Sequence, residues 1–207
     1  NMDIQMHMHI KFGQGTYMQK SPDRLYQSFH TDFFIKHYDY NFYFDDILDW
    51  AQSVMPHYRK IKIENNGPLD QGVCYSLYWA FPNLEWTKFS ALKKINNIFP
   101  NLTHDIFICY MGPGNDSTIH RDKTRIIGLN MPLNENTKKM PINFYDDNKN
   151  KIATYEFKST HLFNSSIFHD GVNNTDDDMY LLGYEFKQSV TPKLAITLLD
   201  NFLNKPL

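Results

Sequence analysis

Only two cysteines, Cys74 and Cys109, occur in the 207 residues of this chain. They lack the Cys-x-x-Cys spacing of a metal site, and two cysteines in a chain of this length make no disulfide framework. Free thiols and a reducing compartment are therefore expected. Neither charge sign dominates. Lysine and arginine number 21 against 23 aspartates and glutamates, for a formal net charge of −2, so the electrostatic footprint of a nucleic-acid binder is missing. No run approaches the ~20 apolar residues of a membrane span, and no signal peptide is visible. These absences predict a cytoplasmic protein with neither a membrane nor a nucleic-acid partner. A small molecule or a peptide is the better substrate expectation, and oligomeric state is not readable.

What is present is a set of short β-prone runs punctuated by turn residues. Ile106 to Tyr110 stops at Gly112-Pro113-Gly114, and Arg125 to Leu133 forms a second run. Ile142 to Tyr145 and Ile152 to Phe157 follow, divided by the polar tract from Asp146 to Lys151. His161 to Asn164 leads to His169, and Tyr180 to Phe186 comes after a polar loop from Asn173 to Asp178. Several short strands with regular turn signals indicate a sandwich or barrel. The reading is mainly β with flanking helices: a double-stranded β-helix, or cupin-like jelly roll, over residues 105–188. It belongs to a single domain over 1–207, in which 1–104 supplies helices and a sheet extension and 189–207 a helix or tail.

Within that frame lies His120-Arg121-Asp122, with His169 placed 47 residues after the aspartate. In a strand, side chains alternate between faces, so His120 and Asp122 project together and Arg121 projects away. Two imidazoles and one carboxylate can occupy one face of an octahedral ion and leave the opposite positions open, the donor set of non-haem Fe(II) oxygenases. His-Arg-Asp also occurs in kinase catalytic loops, but the required asparagine is replaced by Ile127. Residues 112–118 lack the Gly-Lys-Ser/Thr ending of a phosphate loop. The other histidines, His161 among them, receive no role.

The stretch from Tyr110 to Leu133 resembles the 2-oxoglutarate- and Fe(II)-dependent oxygenases, particularly the prolyl- and aspartyl-hydroxylase-like branch with its small phage and marine microbial members. The words that carry the resemblance are Tyr110 with Gly112-Pro113-Gly114, His120-x-Asp122, Arg125, Asn130-Met131-Pro132-Leu133, and Phe163 to Ser166 with His169 to Asn174. The resemblance implies an Fe(II) centre held by His120, Asp122 and His169, with 2-oxoglutarate as cosubstrate. It implies hydroxylation of an amino acid or a protein side chain, because halogenating members replace the aspartate.

The chain departs from the family at Met179, ten positions after His169, where a basic residue usually pairs with the distal carboxylate of the cosubstrate. A buried carboxylate without a partner costs roughly 3–5 kcal/mol. Arg125 is the first candidate to replace that residue, with the Tyr110 hydroxyl as helper and Lys187 behind them. Asn130 and Tyr145 are candidates to face the cavity, although simple alternation puts Arg125 and Asn130 on opposite faces. Two alternatives stay open: a metal-dependent jelly-roll enzyme that does not use 2-oxoglutarate, and a non-catalytic jelly-roll binding module.

In the N-terminal half, a helix is predicted from Asp45 to Met55, with acidic residues in its first turn and Pro56 at its end. A second, from Glu85 to Phe99, places Trp86, Phe89, Leu92 and Ile95 on one face. Between them Tyr75, Tyr78 and Trp79 are candidates either for the core or for a substrate mouth. The sequons at Asn101, Asn115, Asn164 and Asn173 read as coincidences in an Asn-rich chain.

Overall fold

The computed structural model describes residues 35–204 except 41, 43, 65–66, 68–70 and 123–125. Among the described residues, nine strands form two antiparallel sheets. The strands are β1 (Ile35–His37), β2 (Val73–Ser76), β3 (Thr103–Met111), β4 (Ile127–Pro132), β5 (Pro141–Tyr145), β6 (Lys151–Glu156), β7 (His161–Asn164), β8 (Phe168–Gly171) and β9 (Met179–Phe186). The large sheet runs β1-β7-β4-β9-β3-β2 and the small one β6-β5-β8. Strands neighbouring in sequence lie in opposite sheets or return across them, the connectivity of a jelly roll. The fold is mainly β, as the turn spacing predicts.

Strand alternation divides the large sheet into two chemically different faces. On β3, Ile106, Ile108 and Tyr110 join the core under the helices, whereas Phe107, Cys109 and Met111 face the small sheet. On β9, Tyr180, Leu182 and Tyr184 face the helices, and Met179 and Leu181 face inward. Both faces of these strands are buried, so they read as continuous apolar runs and not as alternating ones. Gly183 sits in the middle of β9 because Phe107 lies across it. A Cβ there would approach Phe107 Cζ to 1.9 Å.

The helical layer comprises α1 (Asp45–Glu64), α2 (Ser90–Ile98), the short α3 (Glu135–Lys138) and α4 (Pro192–Leu203). Helix α1 does not stop at Pro56, which lies inside it. Proline removes one hydrogen bond of the helix, but the turn beyond it is held by tertiary contacts. Tyr58 packs on Tyr75 and Phe81, and the Arg59 guanidinium lies over the Tyr110 ring. The segment expected as one helix from Glu85 is a 3-10 turn, Trp86–Lys88, followed by α2. Asp46 joins the two helices, accepting the Ser90 N–H at 3.0 Å at the start of α2. Thr191 caps α4, with Pro192 at its first turn, where a missing N–H costs nothing.

Cys74 and Cys109 form a disulfide, which corrects the expectation of free thiols. They are direct partners in the β2–β3 register, with Cα atoms 4.1 Å apart. That pairing is a product of strand register and leaves no mark in residue spacing. The argument from free thiols to a reducing compartment falls with it. None of the described helices is long and apolar enough to cross a membrane.

Candidate metal centre

A cavity of about 370 Å³ opens between the sheets, and His120, Asp122 and His169 all line it. His120 lies on no continuous strand. It makes a single bridge to His169, with His120 N–H to His169 O at 3.0 Å and the reverse bond at 2.8 Å. Two residues on, the Asp122 N–H donates to Ser165 O at 3.0 Å. Three isolated backbone bonds thus do what a regular strand was expected to do. Arg121 points out, pairing with Asp147 at 3.4 Å and stacking over Phe168.

The two imidazoles are prepared alike. His120 Nδ1 lies 2.9 Å from Thr118 O, and His169 Nδ1 lies 2.8 Å from Ile167 O. A carbonyl only accepts, so each Nδ1 carries the proton and each Nε2 presents its lone pair. This backbone carbonyl contact is the one that orients ligating histidines. The ring centroids are 4.5 Å apart. Thr118, whose carbonyl holds His120, has φ of 53°, a costly conformation for a β-branched residue. Among the described residues, no three His, Cys, Asp or Glu groups converge as a metal-holding cluster. The donor set and the tautomers suit a divalent ion, and binding one requires the Asp122 carboxylate to close on the two rings.

The remaining sequence candidates fare differently. Asn130 projects into the cavity, 9% exposed, and its Oδ1 has no hydrogen-bond partner. Arg125 lies outside the described residues. Tyr110 is corrected: alternation along β3 turns it to the helix face, where its hydroxyl donates to Asp178 Oδ1 at 2.9 Å. Burial, with that carboxylate beside it, pushes its pKa up. Tyr145 also faces away, donating to Asp170 Oδ2 at 2.6 Å, and its pKa rises to about 12, mainly by burial. Met179 is buried in the inter-sheet core. Asn115, Asn164 and Asn173 are buried and brace loops, which accounts for three of the four sequons without glycans.

Sequence reasoning passed over His161. It is fully buried on β7, opposite His37 and opposite Asn130 in the two registers. Its Nδ1 is held by Ser159 O at 2.8 Å, and its Nε2 has no partner. Burial drives its pKa down to about 3. The available signal was its place two residues before Phe163, on the inward phase of β7. Asp105 and Glu185, which also line the cavity, were passed over as well. Alternation puts Asp105 in phase with Phe107 and Cys109 on β3, and Glu185 in phase with Leu181 on β9.

No family model matches the sequence, and no curated protein matches it. Among solved structures, the chain is similar to the viral collagen prolyl hydroxylase of Paramecium bursaria Chlorella virus-1, solved as its 2-oxoglutarate complex. The TM-score is 0.48 at 14% identity, over 76% of this chain and 97% of that one. A non-heme alpha-ketoglutarate-dependent carbocyclase, SnoK from nogalamycin biosynthesis, matches at TM-score 0.43 and 8% identity, over 68% and 76%. A prolyl-4-hydroxylase of Pseudomonas putida matches at 0.40 and 13%, over 74% and 92%.

Proposed function

We propose that this chain is a non-haem Fe(II) oxygenase that uses 2-oxoglutarate to hydroxylate an amino acid or a protein side chain. The observation that carries the reading is the pair His120 and His169. Both rings are fixed in the Nε2-presenting tautomer by the carbonyl two residues earlier, and both share a cavity wall with Asp122.

When bound, the iron would supply dioxygen activation. The chain's residues supply the rest. His120 and His169 would hold the ion through Nε2, and Asp122 would balance its charge. Met111 and Leu181 give the cavity an apolar part of its wall.

A second reading, a jelly-roll metal enzyme without 2-oxoglutarate, has its own support. Met179 and the outward-facing Tyr110 remove two usual contacts for the distal carboxylate. None of the described lining residues is lysine or arginine.

Anaerobic titration with Fe(II), with and without 2-oxoglutarate, tests both. Iron binding with a weak visible charge-transfer band on adding 2-oxoglutarate, and succinate formation in air, supports the first reading. Iron binding without the band or succinate supports the second. Failure to bind iron removes both and leaves a non-catalytic module.

A further inference from the structure

We propose that the cavity recognises a primary carboxamide, as on an asparagine or glutamine side chain, through Asn130 and His161. That the carboxamide belongs to a molecule oxidised at the metal rests on the reading above. Its recognition rests on the large sheet alone.

One row of that sheet reads His161, Asn130, Gly183, Phe107 across β7, β4, β9 and β3. Asn130 and His161 are direct cross-strand partners, so their side chains leave the same face of the sheet as near neighbours. On the other flank of Asn130, Gly183 has no side chain and the Phe107 ring lies across it. Asn130, Phe107 and Phe157 all line the cavity, and the Phe157 ring meets the His161 ring edge-on at 4.4 Å. The two polar residues thus sit together among aromatic rings.

Each of them is buried and keeps one polar atom without a hydrogen-bond partner, Oδ1 of Asn130 and Nε2 of His161. Both atoms are acceptors. The imidazole proton is on Nδ1, donated to Ser159 O at 2.8 Å, and burial keeps the ring neutral, so Nε2 offers a lone pair. A buried acceptor left unsatisfied is an exception that calls for a partner. Two of them side by side call for a group with two hydrogens to give.

The donor inventory narrows that group. Beside its acceptor oxygen, the Asn130 amide carries an NH2 donor, so the pair presents two acceptors and a donor. A primary carboxamide is the complement, with two N–H bonds and one carbonyl oxygen. Its carbonyl and one N–H can meet the Asn130 amide head to head, while the second N–H turns to His161. A hydroxyl brings a single donor, and a carboxylate brings none. An ammonium has no acceptor for the Asn130 NH2, and two neutral acceptors do not offset the desolvation of its charge.

The test uses the Nα-acetyl N-methylamides of asparagine and glutamine, with those of aspartate, leucine and 2,4-diaminobutyrate as counterparts that differ at the side-chain end. Each is titrated into the full chain, metal-free and loaded with Fe(II) under anaerobic conditions, with binding followed by amide NMR shifts. Succinate formation is measured in parallel with iron and 2-oxoglutarate in air. A carboxamide probe should bind at least about tenfold more tightly than every counterpart, the worth of one or two neutral hydrogen bonds. The preference should shrink severalfold in Asn130→Leu and in His161→Phe. Asn130→Leu removes an unpaired amide from the interior, so it should resist urea at least as well as the wild type. Equal or better binding of any counterpart overturns the proposal and leaves the two acceptors to water, and so does an unchanged preference in either variant. Succinate formed with no carboxamide preference refutes this inference while leaving the oxygenase reading in place. Carboxamide-selective binding without iron binding or succinate does the reverse.

Discussion

His120 and His169 exchange both backbone hydrogen bonds across an isolated bridge, and this pairing brings their rings to 4.5 Å. Residues 49 positions apart are thereby held as one unit before any ion arrives.

If that unit is a metal site, removing either ring removes a ligand without removing the backbone bonds. His169→Ala and Asp122→Ala should each lower Fe(II) or Co(II) affinity by more than about a hundredfold, with unchanged far-ultraviolet circular dichroism. Anaerobic Co(II) titration, read from the ligand-field bands, checks this. Wild-type affinity in Asp122→Ala would remove the aspartate from the site.

Tyr110→Phe should leave 2-oxoglutarate affinity unchanged, because the hydroxyl is on the helix face. It should cost roughly 1.5–3 kcal/mol of stability through the lost bond to Asp178. Urea unfolding and calorimetric titration separate the two effects. A large loss of cosubstrate affinity with normal stability would put the tyrosine back in the cavity.

His161 gives the fold a pH dependence. Its pKa is near 3 folded against about 6.5 unfolded, so the unfolded chain binds the proton first. Its neutral form supports stability fully above about pH 6.5. That support is lost as pH falls from about 6.5 towards 3, by roughly 4–5 kcal/mol in all. His161→Phe should flatten the stability curve across this interval relative to wild type, measured by urea unfolding at several pH values. Parallel curves for the two proteins would show that the ring is not buried neutral.

The disulfide closes a separation of 35 residues. Loop-closure entropy makes it worth on the order of 3–4 kcal/mol. Reduction should lower Tm by several degrees and free two thiols for alkylation, read by mass spectrometry. Two thiols alkylated without reductant would show that the bond does not form.

Gly183→Ala should destabilise by about 1–3 kcal/mol through overpacking against Phe107. The double variant with Phe107→Ala should recover part of the Gly183→Ala loss, so that the two changes are non-additive. Strict additivity in denaturant unfolding would show that the ring and the glycine do not meet.

The sequence by itself marked six of the described strands and singled out His120 and Asp122 as candidate donors, because both are local signals. β-prone runs end at Gly and Pro turns, and His-x-Asp places its two donors within one short segment. His161 to Asn164 coincides with β7, and the other predicted runs fall within three residues of a strand boundary. Pro56 misled because tertiary contacts outweighed a local breaker. Only the tertiary structure decided which way side chains face, since direction depends on register with a partner strand and one inserted residue inverts it. That is why Tyr110 turned out to the helices, Asp105 turned in with Phe107 and Cys109, and Cys74 met Cys109. It is also why His161, unremarkable in the sequence, is fully buried. Desolvation belongs to the packed interior, and no property of a single residue announces it.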